Sequence, residues 1–346
     1  MSTVHFRKLG SALGLFLVGL TAVNAPLLAQ TLEKPKVSIA VGGKNLFYYL
    51  PLTVAEQLGY FKDEGLQVEI SDFAGGSKAL QAMVGGSADV VSGAYEHTIS
   101  MQAKGQPITA FVLQGRAPQI VMVVSNKTMP NYRSVADLKG KKIGVSAPGS
   151  STSMMANFVL AKGGLKPSDV SFIGVGTSAG ALSAMRSGQI DAMANLDPVI
   201  TMLEQKKEVR VIADTRTLKD TNTVFGGPMP AATLYAPQAF LQKYPNTAQA
   251  LTNAMVRSLK WLQKAGPSDI IKVVPESYLL GDRALYIEAF TKVRESLSPD
   301  GTFPAAGPKT ALTTLQAFQP ELADKNIDLA KTYTNEFVKK ANAKYK

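Results

Sequence analysis

The chain has 346 residues, 45% of them hydrophobic, which is typical of a folded globular protein and long enough for two domains. It has no cysteine and 2 histidines, which excludes disulfide scaffolds, cysteine-ligated metal centres, thiol nucleophiles and lipid attachment through an N-terminal cysteine. The 37 basic and 26 acidic residues give a formal net charge of +11, but the basic residues are dispersed, so we expect a solvated surface and no nucleic-acid partner.

The first 29 residues have the layout of a secretory signal peptide. Arg7 and Lys8 precede an apolar run at residues 13–20, and small residues follow up to Ala29. The run is shorter than the ~20 residues that span a bilayer. We expect cleavage after Ala29, which lowers the net charge to +9; a retained N-terminal anchor is the alternative. Export without a lipid-anchored cysteine favours the periplasm of a two-membrane bacterium.

Beyond the signal peptide, two segments repeat one order of predicted elements. Each reads strand, helix, strand, glycine-rich turn and helix, followed by a third strand. The first segment has its strands at 37–41 and 68–70, its helix at 52–58 and its turn at 75–77. The second has strands at 143–145 and 170–173, a helix at about 152–161 and a turn at 176–178. Strands that alternate with helices predict parallel sheets with helices on both faces, in an α/β protein.

A shared motif supports the duplication. Residues 79–89 and 181–191 both read Ala-Leu-x-Ala-Met-x-x-Gly-x-x-Asp, and they align without a gap. The apolar spacing of three and four predicts an amphipathic helix that ends at the glycine. Coincidence is the alternative, but the matching flanks favour two similar lobes.

The chain has two places to cross between these lobes. Residues 108–113 and 120–124 are β-branched runs separated by a Gln-Gly-Arg-Ala-Pro turn, and an extended passage at 228–235 follows the strand predicted at 209–213. We therefore assign residues 30–118 and 231–346 to lobe 1 and residues 119–230 to lobe 2. Apolar spacing predicts that the C-terminal region is helical and packs on lobe 1, with helices at 247–264, 284–295, 309–318 and 329–343.

Six loops follow the carboxyl ends of the predicted strands, where open α/β sheets bind ligands. Three of these loops start helices with glycine and hydroxyl side chains, and a helix N-terminus can hold an anion. Capping of these helices is the alternative role. The predicted ligand contacts are Asn45, Tyr48, Gly76, Ser77, Tyr95, Glu96, Arg116, Gly149, Ser150, Ser151, Thr152, Thr177, Asn195 and Asp197.

Several of these side chains have competing roles. Arg116 either clamps an anion bidentately or forms a structural ion pair. Glu96 and Asp197 either accept hydrogen bonds from a ligand or cap their helices. His97 is expected to be structural, because no serine elbow, metal spacing or second histidine completes a catalytic set around it. We therefore predict no cofactor, no metal and no catalytic residue.

The order of motifs resembles the solute-binding proteins of ABC importers in the nitrate/sulfonate/taurine family, which is similar to the NMT1-type domain. Four segments carry this resemblance: residues 49–66, the turn at 75–77, residues 134–145, and residues 188–192 followed by Asp197-Pro198. The resemblance implies a two-lobed type II periplasmic binding protein fold, each lobe a mostly parallel sheet flanked by helices. In that family the lobes close over a small anionic solute and dock on an inner-membrane permease.

Carried over by motif, the loop before Pro51, the Gly76-Ser77 turn, the Gly149–Thr152 helix start and Asp197 line the cleft. The chain departs from sulfonate and taurine members at Asn195-Leu196, where those members often have an aromatic residue. The resemblance thus implies a monomer that binds a sulfonate, a taurine-like solute or a carboxylate. The rival class is an enzyme of the fungal thiamine-pyrimidine synthase type on the same fold, whose cysteine-rich motif this sequence lacks.

Overall fold

The computed structural model describes residues 1–5 and 31–346. The predicted signal peptide lies almost entirely outside the described residues. Leu32–Lys346 forms one compact unit, and the fold described here is the fold of that unit. In the part of the chain that the structure describes, no helix combines the length and apolar character needed to cross a bilayer.

The first segment of the unit alternates strands and helices as its sequence predicts. Its elements, in chain order, are β1 (Lys36–Val41), α1 (Leu50–Gln57), α2 (Tyr60–Asp63), β2 (Gln67–Asp72), α3 (Gly76–Val84), β3 (Val90–Ala94), α4 (Glu96–Ala103) and β4 (Ile108–Leu113).

The second segment repeats that order after one additional strand at its start. Its elements are β5 (Val121–Ser125), β6 (Lys142–Val145), α5 (Ser151–Lys162), β7 (Ser171–Gly174), α6 (Ala179–Ser187), β8 (Ala192–Asn195), α7 (Val199–Gln205), β9 (Val209–Asp214) and α8 (Leu218–Phe225).

The remainder of the chain contributes one strand and then helices. Its elements are β10 (Ala232–Pro237), α9 (Gln238–Lys243), α10 (Pro245–Lys264), α11 (Pro267–Val273), α12 (Arg283–Val293), α13 (Gly307–Gln316) and α14 (Glu336–Lys344).

The strands form two five-stranded sheets of the same topology. The first sheet has the order β2-β1-β3-β10-β4, and the second has the order β7-β6-β8-β5-β9. In each sheet the fourth strand in this order is antiparallel to its neighbours, whereas β1 pairs with β2 and β3, and β6 with β7 and β8, in parallel. The predicted α/β class with mostly parallel sheets is confirmed.

The antiparallel strands are the ones that arrive from the other half of the molecule. β5 follows β4 of the first sheet, and β10 follows the helix after β9 of the second sheet. The two crossing segments lie side by side. Ala231 N–H donates to the Gly115 carbonyl, and Gln119 N–H donates to the Thr215 carbonyl. Every residue of β4 and β5 is buried, as continuous apolar runs covered on both faces should be.

The motif shared by the two segments has the same structural role in each. It forms the end of α3 or α6 and the turn into β3 or β8. Its last residue, Asp89 or Asp191, accepts a hydrogen bond from a backbone N–H of the first parallel strand, at Ser38 or Lys142, in both cases at 3.0 Å. The recurrence of this bond confirms that the two segments share one local structure.

The predicted helix at residues 329–343 is wrong in its first half. The chain forms a short 3₁₀ helix at Leu329–Lys331 and enters α14 only at Glu336. Between them the backbone is extended beside β4, where Ala110 N–H donates to Thr332 O and Thr334 N–H donates to Ala110 O. The free edge of the first sheet offers these hydrogen bonds, and they replace those of a helix.

Candidate functional site

The loop that enters α3 packs directly against the end of β1. A Cβ atom at Gly42 would lie 2.2 Å from both Gly75 C and Gly76 N, so only glycine fits there. This contact brings the start of α3 next to the loop after β1. The loops that follow the carboxyl ends of the parallel strands β1 and β2 therefore lie against each other.

Loops of the two sheets meet in this region. Ser77 N–H donates to Ser150 Oγ at 3.0 Å, Ser150 Oγ is 3.1 Å from Ser77 Oγ, and Ser77 Oγ donates to the Pro148 carbonyl at 2.9 Å. A second contact joins Asn45 and Thr177, where Thr177 Oγ1 donates to Asn45 Oδ1 at 3.4 Å. The structure thus brings together predicted residues from both segments, in an arrangement with the loops closed on each other.

Three buried side chains behind these contacts keep a polar atom without a hydrogen-bond partner. They are the Tyr48 hydroxyl, Glu96 Oε1 and His97 Nε2, on residues that are 2%, 3% and 4% exposed. The Ser151 side chain lies beside the Tyr48 hydroxyl, outside hydrogen-bonding geometry, and the Gly149 backbone lies beside His97 in the same way. Since buried polar atoms are rarely left unpaired, these three are the expected contacts of a ligand.

Burial shifts the pKa values of the two ionisable groups in this cluster in opposite directions. It raises the pKa of Glu96 to about 7 and lowers the pKa of His97 to about 4, because each side chain loses the water that would solvate its charged form. The imidazole of His97 is therefore neutral at pH 7. Its Nδ1 is 3.0 Å from the Tyr235 hydroxyl, and if that hydroxyl donates, Nε2 carries the proton.

Tyr49 and Tyr235 belong to the cluster, but the sequence did not single them out as contacts. A methyl group at Gly76 would lie 3.5 Å from His97 Cε1 and 3.6 Å from the Tyr49 hydroxyl, so these groups surround the start of α3. Burial, reinforced by the nearby Glu96 carboxyl, raises the pKa of Tyr48, Tyr49 and Tyr235 well above 10. Tyr49 stood in a predicted loop; Tyr235 is brought in by β10, a strand whose partner the sequence could not specify.

Two predicted contacts have partners away from this cluster. The Tyr95 hydroxyl is 2.5 Å from Thr332 Oγ1, and its ring packs on Phe303 with centroids 5.7 Å apart. Arg116 Nε donates to the Glu295 carbonyl at 3.2 Å, beside the segment where the chain crosses between the sheets. Arg116 therefore has a structural contact, but its partner is a backbone carbonyl and not the acidic side chain that a structural ion pair would need.

Three more predicted residues hold the second sheet's own loops. Thr152 Oγ1 accepts a hydrogen bond from Ser146 N–H, and Asn195 Nδ2 donates to the Gly176 carbonyl. Asp197 Oδ1 accepts from Thr201 N–H at 2.8 Å, which is the capping role that was the alternative for this acid. Its other oxygen is 3.4 Å from Arg216 Nη1.

The residues of the cluster do not make up a metal site in the part of the chain that the structure describes. In the described ranges, no three histidine, aspartate or glutamate side chains are placed to hold a metal ion. The arrangement offers one buried carboxyl group, three tyrosine hydroxyls, a neutral imidazole and a helix N-terminus. Such a set can bind a small polar molecule by hydrogen bonds from all sides.

Solved structures share this architecture. A protein of Bordetella bronchiseptica RB50 is 65% identical, with a TM-score of 0.90 over 91% of this chain and 99% of its own. The nitrate-binding protein NrtA of Synechocystis PCC 6803 is 14% identical, with a TM-score of 0.71 over 91% and 90%. The alkanesulfonate-binding protein SsuA of Xanthomonas axonopodis pv. citri, bound to MOPS, is 22% identical, with a TM-score of 0.64 over 88% and 100%.

Sequence relatives include two kinds of protein. YtlA of Bacillus subtilis, whose name describes it as a binding protein, is 27% identical over 78% of this chain and 79% of its own. The 4-amino-5-hydroxymethyl-2-methylpyrimidine phosphate synthase of Schizosaccharomyces pombe is also 27% identical, but over 45% and 43%. The chain thus matches less than half of that enzyme.

The family profile described as NMT1/THI5 like matches residues 46–267, which include the first segment from the loop after β1 onwards, the whole second segment and both crossings between the sheets. This range contains the residues of the buried cluster, from Tyr48 to Tyr235. The fold agrees with periplasmic binding proteins for nitrate and sulfonates. The chain is a member of the NMT1/THI5-like family.

Proposed function

We propose that this protein is the solute-binding component of an ABC importer, which captures a small organic anion and delivers it to an inner-membrane permease. The observation that carries the proposal is the set of buried, unpartnered polar atoms on Tyr48, Glu96 and His97, enclosed by loops of both sheets. The names of the structural neighbours, a nitrate-binding and an alkanesulfonate-binding protein, support a solute of this kind. A periplasmic location follows from the predicted signal peptide.

The proposed mechanism is closure of two lobes. Residues 30–118 and 231–346 would form lobe 1 and residues 119–230 lobe 2, so the two crossing segments would be the hinge. Solute contacts made by both lobes exist only when the loops meet, so the solute stabilises the closed form. The permease would recognise that form, and the protein would act as a monomer. The proposed lining residues are Tyr48, Tyr49, Gly76, Ser77, Glu96, His97, Gly149, Ser150, Ser151 and Tyr235.

We infer that the protein is not an enzyme. The fungal synthases share the family, but the resemblance implies a cysteine-rich iron motif for them, and this sequence contains no cysteine. The unpartnered His97 Nε2 is the feature nearest to a catalytic group, and in the described residues no three histidine, aspartate or glutamate side chains are placed to hold a metal ion. A binding role uses the same atoms without requiring a missing group.

Capture of a solute tests the proposal. Purified protein is incubated with a bacterial metabolite extract, washed and denatured, and the released molecules are identified by mass spectrometry. We expect one small organic acid in about equimolar amount, and a smaller radius of gyration in X-ray scattering with that molecule than without it. No released molecule and no compaction in the presence of sulfonates, carboxylates or nitrate would exclude the binding role.

A glycine pair checks the position of the site. Gly76→Ala adds a methyl group at ordinary contact distance from His97 and Tyr49, so the fold should tolerate it while the methyl occupies solute space. We expect calorimetry to give a dissociation constant at least tenfold larger for this variant than for the wild-type protein. Gly266→Ala is the matched control, because its added methyl would also have its nearest neighbour at 3.5 Å. Gly266 directly precedes α11, far from the residues of the cluster in the sequence. Equal affinities for the two variants would place the solute elsewhere.

A further inference from the structure

The Glu96 carboxyl group is buried without a cation. It is 3% exposed, forms none of the ion pairs found among the described residues, and leaves Oε1 without a hydrogen bond. Its neighbours in the cluster are the hydroxyls of Tyr48, Tyr49 and Tyr235. A buried carboxylate is costly unless it is paired, so an incoming solute that carries a donor would relieve it.

Among the described residues, no buried lysine or arginine is free to pair with the acidic group of a solute. Across residues 31–346, the one lysine or arginine in the buried class is Arg216, which is 7% exposed. Its guanidinium is already paired with Asp197, Glu204 and Asp214, at 3.4, 2.8 and 2.6 Å. An anion with no other feature would therefore meet the Glu96 carboxyl and find no buried positive charge to offset it.

The start of α5 is the place where an acidic group can be held. This helix has 12 residues, and its first backbone N–H groups, at Ser151 and Thr152, donate to no protein acceptor in the described structure. The unpartnered Tyr48 hydroxyl lies beside the Ser151 side chain, and the unpartnered His97 imidazole lies beside Gly149. The unpaired amides of Ser151 and Thr152, with the Tyr48 hydroxyl and the His97 imidazole buried nearby, form an anion subsite.

We propose that the solute is a zwitterion or a similar N–H-bearing acid, whose acidic group sits at the start of α5 and whose protonated nitrogen donates to Glu96. This assignment rests on the proposed function and narrows its solute class. Tyr48 connects the two groups, since its hydroxyl lies beside the Ser151 side chain and the charge of Glu96 raises its pKa. The two ends of the solute would thus contact different lobes, Glu96 in the first sheet's segment and α5 in the second's. The contact between the nitrogen and Glu96 would give selectivity for the solute. The contact between the acidic group and α5 would favour the closed form.

Matched pairs of probes test the assignment. Taurine and ethanesulfonate differ by one amine, as do β-alanine and propanoate, and each is titrated into the wild-type protein and Glu96→Gln by calorimetry. We expect an amine-bearing member to bind the wild-type protein at least tenfold tighter than its partner, and Glu96→Gln to remove that preference. Glu208→Gln is the control, because Glu208 lies at the surface in an ion pair with Arg186 and should keep the wild-type preference.

The chemical identity of the captured solute tests the assignment without any variant. A released molecule with both an N–H donor and an acidic group supports the assignment. A released acid without N–H, or amine-free probes that bind as tightly as their partners, overturns it and leaves the proposed function standing. If no molecule is released and no probe binds, the proposed function fails and this assignment fails with it.

Discussion

Glu96 and His97 are neighbours in the chain, and both are buried, yet burial moves their proton affinities in opposite directions. Between about pH 4.5 and 7 the folded protein holds a proton on Glu96 that the unfolded chain releases, so this residue makes the free energy of unfolding fall as the pH rises. Between about pH 4 and 6.5 the unfolded chain binds a proton on His97 that the folded protein lacks, so His97 makes it rise.

The two opposing slopes predict that single variants change the pH dependence of stability in opposite ways. The tyrosines that interact with Glu96 do not titrate in this range, since the pKa values of Tyr48, Tyr49 and Tyr235 are raised above 10 and their hydroxyls stay neutral. In Glu96→Gln we expect the free energy of unfolding to rise by on the order of 2 kcal/mol from pH 4 to 6.5, and in His97→Asn to fall by a similar amount from pH 4.5 to 7.

Urea denaturation at a series of pH values from 4 to 7.5 measures these slopes. Each variant is compared with the wild-type protein by the change in its slope, because a constant offset reports only packing. Curves of both cluster variants that run parallel to the wild-type curve would mean that neither group is buried as the structure has it.

The sequence identified some residues of this cluster and missed others for physical reasons. Tyr48, Glu96 and Ser150 follow directly from strand ends and helix starts, which local patterns reveal. Tyr235 does not, because its place depends on the pairing of β10 with β3, at Tyr235 and Val91, which are 144 positions apart in the sequence. Asp197 was assigned a ligand or a capping role, and only its contacts with Thr201 and Arg216 distinguish them.

At the scale of elements, the start of α5 links the two sheets through one hydroxyl. Ser150 directly precedes α5, but its side chain makes no capping bond to its own helix. It accepts from Ser77 N–H, at the start of α3, and approaches Ser77 Oγ. The starts of two helices that are not equivalent in the duplication, α3 after β2 and α5 after β6, thus contact each other, which local sequence patterns could indicate for each helix but not for the pair.

Removal of this hydroxyl should weaken closure. Ser150→Ala deletes the acceptor of a hydrogen bond from a buried N–H group. Such a bond contributes about 1 kcal/mol, so we expect the dissociation constant for the captured solute to be roughly fivefold larger. Ser187→Ala is the matched control, since that hydroxyl donates to a carbonyl of its own helix, at Ala184. Calorimetry on both variants measures the difference. A Ser150→Ala protein that binds as tightly as the control would show that the link contributes nothing to closure.

At the scale of the whole molecule, the same topology appears twice and the chain crosses twice between the copies. The repeated motif made this organisation predictable, because Asp89 and Asp191 mark equivalent turns. The extended passage at residues 332–334 was not predictable, because it depends on the free edge of β4. Sequence patterns within a segment predict the helices and strands of that segment. The pairing at sheet edges and the crossings between sheets depend on which strand edges the rest of the chain leaves unpaired.

The contact between the loops before α3 and α5 predicts that a covalent bond can hold these loops together. The Oγ atoms of Ser77 and Ser150 are 3.1 Å apart, and the chain has no cysteine of its own. The double variant Ser77→Cys/Ser150→Cys should therefore form a single disulfide that holds the loops together. In the proposed mechanism solute enters only when the loops separate, so we expect the oxidised protein to take up or release the captured solute at least a hundredfold more slowly than the same protein with reductant.

Stopped-flow fluorescence, or exchange of an isotope-labelled solute, measures these rates in the oxidised and reduced forms. Each single-cysteine variant is the control, because it changes the same side chain without a covalent link and should exchange solute equally fast with and without reductant. Equal rates in the two forms of the double variant would mean that solute reaches the cluster without separation of the loops. The two crossing segments would then be a fixed connection between the sheets, and closure would not be the mechanism of capture.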